Sequence, residues 1–100
     1  MTNETNRNEI LLSLQGLGNR KEFHRALAGA MDFPDYYGKN LDAMMDCLTD
    51  LGTATHLILT DTQAFAEALP TYFASIQRVM DEAAEANSLF SWEIREEITM

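Results

Sequence analysis

The chain has 100 residues, 46% of them hydrophobic, which is enough for one compact domain and leaves no room for a second core. Sixteen acidic against seven basic residues give a formal charge of -9, which disfavours direct nucleic-acid binding and favours basic partners, although charge without placement also serves plain solubility. No run approaches the roughly 18 apolar residues of a membrane helix, the first residues are polar, and a lone Cys47 permits no internal disulfide, so a soluble cytoplasmic protein is expected.

Residues 1–8 are polar and read as a flexible extension, with residues 9–100 forming a single domain. The apolar run at 9–15, EILLSLQ, closed by Gly16 and Gly18, predicts a buried first strand. Asn19 with Glu22 has the form of a capping box, and Phe23, Ala26, Leu27, Ala30 and Met31 then recur at helical spacing. His24 falls on the polar part of that helix and reads as structural. Pro34 stops the helix, because its ring cannot continue the ladder and it pushes Phe33 out of helical torsions. In the loop that follows, one of Tyr36 and Tyr37 is expected in the core and the other exposed for contact.

Asn40 is placed to cap a second helix, whose Leu41, Met44, Cys47, Leu48 and Leu51 share one side before Gly52 ends it. Cys47 on that apolar side is expected to pack rather than react. Residues 54–60 predict a second buried strand with His56 at its edge, also structural. Asp61 or Thr62 caps a short helix carrying Phe65, Ala66 and Leu69. Pro70 then opens a longer helix with the stripe Phe73, Ile76, Val79, Met80 and Ala83. Residues 89–94 predict a third strand, and the nearby acids Glu93, Glu96 and Glu97 read as solvating. Strand, two helices, strand, two helices, strand, joined by right-handed crossovers, gives an α/β fold: a three-stranded parallel sheet packed with about four helices.

The second helix carries the informative feature. Asp42, Asp46 and Asp50 recur every four residues on the side opposite the apolar stripe. At ~1.5 Å rise per residue, successive carboxylates lie roughly 6 Å apart along the axis, a spacing comparable to phosphates in an extended strand. An ordinary solvated face would share this pattern, with Lys39 partly neutralising it. Met45 and Thr49, flanking the carboxylates outside the core arc, favour an interface. A straight helix face offers too few converging oxygens for Ca²⁺ or Mg²⁺, so no metal is expected. Nor is any cofactor expected, and the absence of a nucleophile, base and orienting residue at motif spacing argues against an enzyme.

Residues 33–49, FPDYYGKNLDAMMDCLT, closely resemble the signature of the barstar family of ribonuclease inhibitors, P-x-Y-Y-G-x-N-L-D-A-x-x-D-C-L-T. The order of elements matches that family from about Glu9 onward. The resemblance implies a barstar-like fold and a non-catalytic, intracellular inhibitor of a basic barnase-type ribonuclease, monomeric when free. It implies that Asp46 enters the nuclease's phosphate-binding pocket to meet arginine and histidine side chains, while Asp42 pairs a further arginine. Tyr36 would pack on the catalytic region, Asn40 and Thr49 would touch it around the helix, Met45 and Asp50 would border the contact, and Glu82 would add a peripheral ion pair. Met45 and Leu51 stand where the family's prototype has tryptophans, Asp50 where it has glycine, and Lys39 where it has glutamate. These departures leave room for an alternative: an immunity or regulatory module for another basic toxin or protein, using the same face.

Overall fold

A computed structural model describes residues 8–96; all but one residue of the predicted extension, and Glu97, lie outside the described residues. In chain order the elements are β1 (Asn8–Ser13), α1 (Arg20–Met31), α2 (Leu41–Thr49), β2 (Thr55–Thr60), α3 (Gln63–Ala68), α4 (Pro70–Ala86) and β3 (Phe90–Ile94). The three strands form one parallel sheet in the order β1-β2-β3, with Asn8 opposite Thr55 and Thr55 opposite Phe90. This is the α/β architecture that the alternation of elements predicts.

Each crossover steps to the next strand in the same direction. Right-handed connections therefore carry both helix pairs to one face of the sheet. Side-chain alternation shows the result. Leu12, Leu57, Leu59 and Phe90 share a single core with Phe23 and Leu27 of α1, Met44 and Leu48 of α2, Phe65 of α3, and Ile76 and Met80 of α4. Burying side chains of this size contributes about 1.5–3 kcal/mol each. On the opposite face Leu11, Ile58 and Glu93 stand side by side across the strands, and Leu11 is 64% exposed. Among the described residues no helix is long and apolar enough to cross a membrane.

Three local expectations need correction. His24 is fully buried rather than on a polar side. Its Nδ1 lies 2.6 Å from the Tyr37 hydroxyl and its Nε2 2.6 Å from the Tyr72 hydroxyl, so both ring nitrogens are satisfied in the interior. His56, the second residue of the central strand, has its ring 2.7 Å from Ser91 Oγ and 2.9 Å from Glu93 Oε1. The acids near the C-terminus do more than solvate. Glu93 also accepts from Arg95 Nε at 2.8 Å, and the hydrogen bonds from His56 and Arg95 hold its carboxyl below the usual range. Glu96 accepts from the Thr62 hydroxyl at 2.7 Å, and Thr62, in the right-handed helical region and not extended, makes no side-chain cap on α3.

The ends of α1 show how far local reading reaches. Asn19 caps it by accepting from Glu22 N at 2.8 Å, and Glu22 reaches back to Gly18 N at 2.7 Å, one residue earlier than in a standard capping box. The helix ends at Met31 and is capped by Asp32, two residues before Pro34 and in the left-handed region at φ 58°, so a C-terminal cap ends it before the proline acts.

Candidate protein-binding face

A nine-residue helix such as α2 has too few turns to be stable alone and must be held by its surroundings. Asn40 starts it: its side-chain oxygen accepts from Ala43 N at 2.7 Å. Met44 and Leu48, one turn apart and fully buried, fix its inner side in the core. The outer end is held from a distance. The Asn87 side-chain amide, just past α4, donates toward the carbonyl oxygens of Leu48 at 3.1 Å, Thr49 at 3.4 Å and Leu51 at 3.1 Å. These carbonyls lie at the end of α2, where helical partners run out.

The side that faces away from the core carries Asp42, Asp46 and Asp50, all exposed. The two ion pairs among the described residues both involve Glu93 on the sheet, so none of the three carboxylates is in an ion pair, and Lys39 is exposed without pairing. Like charges one turn apart cost the helix roughly 0.2–0.5 kcal/mol per pair. Asp42 in the first turn is favoured by the helix dipole, whereas Asp50 at the C-cap opposes it. Met45 and Thr49 are half-buried beside the carboxylates. The Thr49 hydroxyl donates to the Met45 carbonyl at 2.9 Å and is committed to its own helix.

The two tyrosines of the preceding loop part company. Tyr37 is 5% exposed, with its ring 4.9 Å from that of Phe33 and its hydroxyl on His24, while Tyr36 is 87% exposed. Burial pushes the Tyr37 and Tyr72 hydroxyls above the ordinary tyrosine range and His24 down to about 4. The triad is therefore neutral at pH 7, and by anchoring Tyr37 it fixes the loop that displays Tyr36. A groove of about 290 Å³ lies between this loop and the C-terminal half of α2, lined by the apolar Met31, Phe33 and Leu51 together with Tyr36 and the carboxylates of Asp32, Asp46 and Asp50. Cys47 is in its wall, and burial, with Asp46 and Asp50 nearby, raises the thiol pKa, which makes it a poor nucleophile. A second hollow, about 250 Å³, brings Asn40 and Asp42 together with Arg20 and Tyr72. Glu82 is exposed on α4 and borders neither hollow.

A family model described as Barstar (barnase inhibitor) matches residues 8–96. The chain belongs to the barstar family. It is also 35% identical over 78 residues to the Bacillus subtilis protein named "Putative ribonuclease inhibitor YrdF", a match spanning 77% of this chain and 86% of that one. The barstar signature at 33–49 thus coincides with the Tyr36 loop and α2, the part of the molecule with the exposed carboxylates. Two residues that shape this barstar face are not recognised as such from sequence: His24 reads as lying on a polar side, and Asn87 is not singled out. His24 follows Phe23 at the border of the apolar arc, and two tyrosines at unpaired positions were the available signal. Asn87 carries no local signal, since its carbonyl partners at the end of α2 lie 36 to 39 positions away.

Among the described residues no three His, Cys, Asp or Glu side chains converge closely enough to hold a metal ion. The arrangement on this face can instead offer three fixed negative charges, an exposed aromatic ring and a partly apolar groove to another protein.

Proposed function

We propose that this chain inhibits a basic, barnase-type ribonuclease by laying the exposed carboxylate face of α2 into the nuclease's active-site cleft. The observation that carries this reading is the row Asp42, Asp46 and Asp50, exposed and in no internal ion pair, in a member of the barstar family. Asp46, central in the row, takes the phosphate-binding pocket; Asp42 pairs a further cation; Asp50, Met45, Tyr36, Asn40 and Thr49 surround the contact, and Glu82 adds a peripheral charge. Inhibition is occlusion, with no chemistry on the inhibitor's side. The cytoplasm is the proposed compartment, since the fold uses no disulfide and Cys47 is free. The free protein is proposed to be a monomer, because a symmetric contact through this face would set carboxylates against carboxylates.

Titration against a barnase-type ribonuclease, following RNA cleavage, tests the proposal. Stoichiometric inhibition is expected. Asp46→Ala should weaken it by at least about 30-fold while leaving the fold unchanged by circular dichroism, because truncating one partner of a buried charge pair typically costs about 2–5 kcal/mol. Full inhibition by Asp46→Ala would refute the assigned anchor. Lys39 favours a second reading. Its ammonium is exposed at φ 57°, directly before Asn40, where a basic nuclease would meet like charge. Failure of the wild type to inhibit this nuclease, combined with capture of a different basic protein that Asp46→Ala loses, would move the assignment to an immunity or regulatory module.

A further inference from the structure

The acidic face changes sign at its N-terminal end. The hollow there, about 250 Å³, is lined by Arg20 of α1, Tyr72 of α4, and Asn40, Leu41 and Asp42 around the start of α2. Arg20 is exposed, yet its guanidinium carbon lies over the Tyr72 ring, 4.5 Å from the centroid, and the Tyr72 hydroxyl is 2.6 Å from His24 Nε2. A guanidinium resting on a ring keeps its in-plane N–H donors for another partner. Among the described residues no carboxylate takes them in an ion pair: Asp42 shares the hollow without pairing, and Glu22, two residues along the helix, accepts from Gly18 N. Asn40 is committed, accepting from Ala43 N and donating to Gly38 O. Arg20 is also the first residue of α1, where a positive charge opposes the helix dipole, so the stability of its own helix does not explain its place. The groups with capacity left are one guanidinium and one carboxylate, unpaired in one hollow.

We propose that this hollow is a specificity pocket for an acidic side chain of the partner, with Arg20 as the residue that binds it. The acid it takes is the neighbour of a base. An isolated carboxylate would meet Asp42 as well as Arg20 and gain little, whereas a base alone would satisfy Asp42 but bring like charge to Arg20. An acid and a base side by side on the partner's surface satisfy both groups at once, the carboxylate engaging the guanidinium fork through paired hydrogen bonds. A partner therefore fits this end of α2 only where its basic surface is interrupted by an acid. Arg20 thereby sorts basic proteins from one another and fixes which way round they dock. The proposal rests on the reading of the α2 face as the inhibitory surface, and it adds a partner feature of the opposite sign.

Two measurements keep the proposal and that reading apart. In the first, blocked dipeptides are titrated into the full chain and followed by NMR at the Arg20 side-chain Nε–H and at the backbone amides of Asn40, Asp42 and Tyr72. Glu-Arg and Arg-Glu are compared with their neutral counterparts Gln-Arg and Arg-Gln. At least one acidic dipeptide is expected to bind at the hollow about twofold to fivefold more tightly than its counterpart, the range of an exposed charge pair. That order runs against the net charge of -9, which by itself favours the more cationic probe. Arg20→Gln should abolish the preference, while Lys21→Gln, which removes the same charge from the next position of α1 outside the hollow, should keep it. Equal binding of acidic and neutral dipeptides, or a preference that both variants lose alike, would overturn the proposal. In the second, both variants are compared with wild type in ribonuclease inhibition. Loss of a cation should, through long-range attraction alone, tighten the hold on a basic protein, and Lys21→Gln should follow that rule. Arg20→Gln should instead weaken inhibition about twofold to fivefold. Inhibition that Arg20→Gln tightens removes the pocket and leaves the inhibitor; an acidic preference in a chain that does not inhibit does the reverse.

Discussion

His24 is kept neutral by its surroundings. Burial without a counter-charge lowers its pKa to about 4, and its two contacts are hydroxyls that can serve an uncharged ring, one donating and one accepting. In the unfolded chain the same side chain titrates near 6.5. Between those values the unfolded state binds more protons, so the stability that His24 contributes is fully present above pH 6.5 and is lost as pH falls toward 4. The loss should be roughly 2 kcal/mol, from the span of the shift after allowance for relaxation. Urea melts at successive pH values check this, with His24→Gln as the comparison. The variant should be flatter between pH 6.5 and 4, and an unchanged slope would mean that carboxylates alone set the acid sensitivity. That role was hidden in the sequence for a physical reason. A histidine one position along from Phe23 lies at the border of the apolar arc, and its burial depends on hydroxyls supplied by Tyr37 and Tyr72, 13 and 48 positions away. At Tyr36 and Tyr37 the sequence allowed one buried and one exposed ring, and packing decided which.

The elements divide by how local their causes are. The start of α2 and its buried side are legible, because Asn40 acts on the amide three residues later and Met44 and Leu48 repeat at helical spacing. Its end is not legible, because the groups that satisfy it come from another helix. Asn87 serves three carbonyls, at Leu48, Thr49 and Leu51, with one amide. Asn87→Ala should therefore cost about 1–2 kcal/mol of stability, reduced by the access of water to some of those carbonyls. Amide exchange should quicken in residues 47–51 more than in residues 41–44, and inhibition should weaken with it, since Asp46 and Asp50 sit on the loosened half. Uniform exchange along α2 would contradict the clamp. The same division applies to β2: its apolar run was readable, whereas the placement of His56 against Ser91 and Glu93 follows only from the alignment of β3 beside it.

Taken whole, the molecule presents a formal charge of -9, with three of its carboxylates in one row on α2. Charge of this kind accelerates encounter with a basic partner more than it tightens the final contact, as the barnase and barstar pair commonly illustrates. Association with the nuclease should slow on the order of tenfold between low and moderate salt, while dissociation changes little, since salt screens the approach more than the closed contact. Stopped-flow rates across a salt series measure both, and a salt-independent association rate would argue against steering. The sheet sets a further condition. Because α2 lies in the crossover between β1 and β2, which pair directly along their length, the helix takes its place only when strands separated by both α1 and α2 have met. A peptide copied from α2 lacks that frame and should coil in water. One backbone cut between the two strands would turn an intramolecular pairing into an encounter of two fragments, at the expense of the effective concentration that the tether supplies. A protease cutting the crossover between Arg20 and Tyr36 would therefore release a bound partner without touching a single residue of the proposed contact.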